Sequence, residues 1–182
     1  TAMRMCSKRR SRSRREFVGD VADRPSTRDE TSSALDREEV FAALARAGHG
    51  SIPPPLLDGA VEALRRWSKV WPERPLAVVP APAPPGEAAA NQALAAHLAT
   101  IGRLPLVDAL RWTGSAPAPT NASSAALVAH LEDAITIDPA AAAELPPGPV
   151  LLCATTMRTG WALTVGAARL HDSAGTTALP IV

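Results

Sequence analysis

Thr155-Thr156-Met157-Arg158-Thr159-Gly160 is the stretch of this chain best suited to chemistry. It gathers three hydroxyls, a guanidinium and a glycine directly after the apolar run Val150-Leu151-Leu152-Cys153 and before a helix-patterned stretch, residues 161–172. A buried strand that ends in a Thr/Gly turn and opens a helix suits an anion, because loop N–H groups and the helix N-terminus point at the same place. Thr155, Thr156, Arg158, Thr159 and Gly160 are therefore the candidate phosphate-binding residues. The loop has no carboxylate between Glu144 and Asp172. It suits a phosphate, but not a ribose hydroxyl or a metal ion held through an acid of its own.

Other chemistries find less support. Cys153 lies late in the apolar run, where a buried, inert thiol is the default. Cys6 is far from it, so neither a disulfide framework nor a metal-ligand spacing is present, which fits a reducing cytosol. His49, His97, His130 and His171 are scattered and read as surface or hydrogen-bonded residues. There is no Ser-His-Asp signature and no G-x-x-x-x-G-K-[ST] loop for ATP. No catalytic residue and no metal ligand is assigned. No apolar run approaches the roughly 18 residues of a membrane span, and no apolar signal-peptide core follows the basic N-terminus. A cytoplasmic location without membrane contact is expected.

The formal net charge of +1 hides an asymmetry. Arg4, Lys8, Arg9, Arg10, Arg12, Arg14 and Arg15 crowd the start of the chain, which leaves the remainder net negative. Lys8, Arg9, Arg10, Arg12, Arg14 and Arg15 are the candidate nucleic-acid contacts; such an arm would meet DNA phosphates without reading sequence. Residues 1–35 carry little apolar content and are expected to be a disordered basic and polar arm.

The elements that must position the Thr/Gly loop follow from periodicity. Asp36 and Glu39 form a capping-box-like pair for a helix whose face is Val40, Phe41, Leu44 and Ala47. A second helix is predicted over 56–70. The short apolar run 74–80 reads as a buried strand, followed by a Pro-rich loop over 81–86. An Ala-rich helix is predicted over 87–101, with Leu94, Leu98 and Ile101 inward and Gly102 as its stop. A strand over 104–110, a loop over 113–120, a helix over 122–133, a strand over 134–137 and one or two helical turns over 139–145 come next. A strand over 150–153, a helix over 161–172 and a strand over 177–182 close the chain. This alternation predicts a parallel α/β sheet, with ligands beyond the C-terminal strand ends. The expected division is an arm over 1–35, a helical segment over 36–71 and an α/β domain over 72–182.

Several segments together resemble a known family. Arg74-Pro75-Leu76-Ala77-Val78-Val79-Pro80-Ala81-Pro82 is the first, and Leu98-Ala99-Thr100-Ile101-Gly102-Arg103-Leu104-Pro105-Leu106 the second. Val150-Leu151-Leu152 and Thr159-Gly160-Trp161-Ala162-Leu163-Thr164-Val165 complete the set. They resemble a type I phosphoribosyltransferase-like domain, more narrowly the C-terminal domain of actinobacterial RecQ-type ATP-dependent DNA helicases. The likeness covers residues 52–182 and implies a parallel sheet flanked by helices, cut from a longer chain that holds a helicase core.

In such transferases two adjacent acids bind the ribose hydroxyls of phosphoribosyl pyrophosphate. A Thr-Gly turn binds its 5′-phosphate, and Mg2+ supports the pyrophosphate. Position for position, the acids fall here on Ala154 and Thr155, and a Thr after Thr-Gly-Trp is replaced by Ala162. The basic pyrophosphate loop is replaced by Ala83-Pro84-Pro85-Gly86-Glu87. Each lost charge-assisted hydrogen bond is worth on the order of 1.5–3 kcal/mol. Four such losses exceed the roughly 8 kcal/mol of a micromolar complex. The resemblance thus implies a non-catalytic accessory domain, a pseudoenzyme in DNA repair, with no firm cofactor. The alternative is a surviving transferase that binds phosphoribosyl pyrophosphate and Mg2+ at loop 154–160, with Thr155 in place of an acid.

Overall fold

The computed structural model describes residues 52–115 and 121–182. The basic arm and the helix predicted from Asp36 lie outside the described residues. Helix α1 (Pro54–Trp67) starts on a proline, which tolerates a first turn because its missing N–H would be unpaired there anyway. Arg65 and Arg66 in its last turn suit the dipole, and Arg66 pairs with Glu62 at 3.1 Å. Strand β1 (Ala77–Pro80) leads into α2 (Pro85–Gly102), and β2 (Leu110–Trp112) into α3 (Ser124–Ala134). Strand β3 (Ile135–Ile137), the short helix α4 (Pro139–Ala143), β4 (Val150–Cys153), α5 (Trp161–Ala174) and β5 (Ala178–Ile181) follow.

The central sheet runs β1-β4-β5, all parallel, with Ala77 opposite Val150 and Val150 opposite Ala178. Beyond β1 a single parallel bridge joins Val78 to Leu106. Side chains alternate across the sheet because a strand's period is two. Val150 and Leu152 enter one core, with Ala77 and Val79, under Leu127 and Leu131 of α3 and Val165 and Leu170 of α5. Leu151 and Cys153 enter the opposite core, with Val78, against Leu94 and Leu98 of α2. Strands buried on both faces read as continuous apolar runs, and VLLC is one. The chain is therefore a mixed α/β domain with a parallel sheet flanked by helices.

Four expectations change. The strand predicted over 104–110 shrinks to the Leu106 bridge. Val78 N–H donates to the Pro105 carbonyl and Val107 N–H to the Val78 carbonyl, after which the chain leaves the sheet. Residues 110–112 instead form an antiparallel ribbon with 135–137, separate from the parallel sheet. Helix α2 does not turn at its glycine: Gly102 is its last residue, and Arg103 takes the left-handed conformation at φ 53°. Ile101, expected on the inner face, is 51% exposed.

Candidate functional site

Two neighbouring parallel strands, β1 and β4, send their chains to opposite faces of the sheet. The chain after β1 enters α2 on one face, and the chain after β4 enters α5 on the other. This divergence opens a crevice at the C-terminal strand ends, where open α/β sheets bind ligands. A cleft of about 120 Å³ lies there. One wall is the rib Ala81-Pro82-Ala83-Pro84, and the other is the Thr/Gly loop with the first turn of α5. Trp112, Leu127, Leu131 and Leu163 supply an apolar end.

Of the predicted phosphate-binding residues, Thr156, Arg158, Thr159 and Gly160 line this cleft. Gly160 precedes α5 at φ 78°, a left-handed conformation that costs an L side chain about 1–2 kcal/mol. Helix α5 has no side-chain cap and no acid in its first turn. The N–H groups of Trp161, Ala162 and Leu163 lie before the first intrahelical bond, which Thr164 donates to the Gly160 carbonyl at 3.0 Å. Gly160, Ala162 and Leu163 line the cleft, so the dipole's positive end meets it.

Thr155 is differently employed. Its N–H (2.8 Å) and hydroxyl (2.9 Å) both donate to Oδ1 of Asn91, whose Nδ2 donates to the Ala81 carbonyl at 3.0 Å. Asn91 is buried at 4% exposure. Its amide thus ties the first residue of the rib after β1 to the start of the loop after β4. Sequence reasoning passed over it, yet a signal was present. Asn91 stands three residues before Leu94 on the inner face of an Ala-rich helix, and a buried amide there requires partners.

Glu87 is the second missed residue. The loop has no acid of its own, but the first turn of α2 brings one across. Glu87 Oε1 is 3.5 Å from Arg158, and the Thr156 hydroxyl is 3.5 Å from Glu87 Oε2. Sixty-nine residues separate Thr156 from Glu87, so no local pattern couples them. Glu87 and Arg158 are the charged side chains that line the cleft among the described residues. The nearby Arg111 is committed to Asp108 (2.7 Å) and Asp138 (3.6 Å).

Burial pushes the Cys153 thiol up to about 12, so it stays protonated at neutral pH and is no nucleophile. Asp138 is held below its ordinary value because it caps α4, accepting from the N–H groups of Ala141 and Ala140, with Arg111 adding to the effect. Two histidines depart from expectation. His97 Nε2 and His130 Nε2 are buried without a hydrogen-bond partner among the described residues. The His130 ring tilts against Trp112, centroids 6.2 Å apart.

Among the described residues no group of three His, Cys, Asp or Glu comes together to hold a metal ion, and no helix is long and apolar enough to cross a membrane. No known protein-family model, no curated protein and no solved structure matches the chain.

Proposed function

We propose that the chain is a non-catalytic accessory domain that binds a phosphorylated ligand in the cleft between β1 and β4. On this reading it has a phosphoribosyltransferase-like shape without transferase chemistry, and serves a RecQ-type helicase core of the same parent chain in the cytoplasm. The observation that supports it most is the convergence on one cleft of Thr156, Arg158, Thr159, Gly160 and the uncapped first turn of α5. The positions where a transferase keeps its acids hold Ala154 and Thr155, and Thr155 gives its hydroxyl to Asn91.

Thermal unfolding in inorganic phosphate, at an ionic strength matched with chloride, tests the reading. Phosphate raises the midpoint, and the Arg158→Ala, Thr159→Val double variant loses the rise. An equal rise in both proteins, or none in either, sinks the proposal. The basic arm supplies the DNA-binding part. Oligonucleotide binding should weaken steeply with salt and vanish when residues 1–15 are removed.

One observation favours the alternative, a surviving transferase. Glu87 provides the cleft with a carboxylate that the loop lacks. That reading predicts Mg2+-dependent protection by phosphoribosyl pyrophosphate, which the accessory-domain reading forbids.

A further inference from the structure

We infer that Glu87 sets the class of ligand the cleft accepts: a phosphate monoester whose organic part carries hydroxyl donors, with pyrophosphates turned away. The inference rests on the phosphate-binding reading above. The carboxylate lines the cleft and meets Arg158 and Thr156 from the opposite wall, both at 3.5 Å. It is fixed on the first turn of α2, where the helix dipole favours a negative charge.

Two consequences follow. Glu87 and Arg158 leave the lining with no net charge, so every phosphate beyond the first would enter against a standing carboxylate with no cation to offset it. The pair is also easily exchanged. Its side chains are 44% and 69% exposed, and solvated pairs of this kind hold weakly. A single phosphate at the α5 turn can draw Arg158 away and leave Glu87 facing the rest of the ligand. An ionised carboxylate only accepts hydrogen bonds, so its best partner there is a hydroxyl. The apolar end at Leu127, Leu131 and Trp112 is equally unsuited to a second phosphate.

Calorimetric titration of the full chain with glycerol 3-phosphate, inorganic phosphate and pyrophosphate, at low salt, tests this. The unaltered protein should bind glycerol 3-phosphate most tightly and pyrophosphate most weakly. Glu87→Gln, which keeps the shape and removes the charge, should raise pyrophosphate affinity about tenfold and leave inorganic phosphate the smaller gain. Glu87→Lys should carry the same trend further, and added salt should shrink it. Phosphate binding with no preference between glycerol 3-phosphate and pyrophosphate, or a preference unchanged in both variants, overturns the inference and spares the cleft reading. No binding of any of the three compounds by any of the proteins overturns both.

Discussion

After β1 the chain takes four residues, 81–84, to reach α2; after β4 it takes seven, 154–160, to reach α5. The first connection alternates Ala and Pro, and Ala81 and Ala83 are buried. Its helix carries its own anion, Glu87, in the first turn. The second connection is exposed from Thr156 to Thr159, and its helix has no acid in its first turn, while neither helix has a side-chain cap. Both helices present the same partial positive charge to the same cleft. One is already answered within the chain and the other is open to a ligand. A shared architecture thus yields a rigid wall on one side and a receptive surface on the other, and the single amide of Asn91 spans the two.

That difference can be broken most severely at Asn91. Asn91→Leu strands the Thr155 N–H and the Ala81 carbonyl inside the protein. A loss of about 2–4 kcal/mol is expected in urea denaturation, with phosphate binding abolished. A loss below about 0.5 kcal/mol would show that the tether does not hold the two connections together.

Gly160→Ala attacks the receptive loop alone. The positive φ at this position should cost about 1–2 kcal/mol, and the strained turn should also weaken phosphate binding. A larger loss in Asn91→Leu than in Gly160→Ala is part of the expectation.

Arg103→Gly works in the opposite direction, at the far end of the rib's helix. Removing a side chain from a left-handed residue should stabilise the fold by about 1 kcal/mol. Phosphate affinity should not change, because the receptive side is untouched.

The smallest effect concerns α4, away from both loops. The Asp138 carboxyl is held below its ordinary value of 3.8 in the folded chain. Such a group contributes stability above its unfolded value, and the contribution is lost as pH falls through the folded value. Asp138→Asn should therefore flatten the decline in stability below about pH 4 and lower stability slightly at neutral pH. Equal acid profiles for the two proteins would contradict this.

What could be read from residue order was local. The run VLLC, the turn Thr159-Gly160 and the helix after it announce themselves by composition and period, and the structure forms β4 and α5 there. The antiparallel ribbon was not legible. Leu110-Arg111-Trp112 and Ile135-Thr136-Ile137 are three residues each, too short to reveal which strand they pair with. The stop of α2 was misplaced because Gly102 is the better left-handed residue in isolation. Leu104 N–H nevertheless bonds the Ala99 carbonyl, and the turn falls on Arg103. Glu87 joined the site only through the crossing of α2 over β4, a relation that no spacing encodes.

Amide NMR during a titration with inorganic phosphate separates the open helix terminus, α5, from the answered one, α2. Saturable shifts are expected at Thr159, Gly160, Trp161, Ala162 and Leu163, with much smaller ones at Glu87, Ala88 and Ala89. Shifts concentrated on the α2 amides, or spread evenly over both termini, would contradict that contrast.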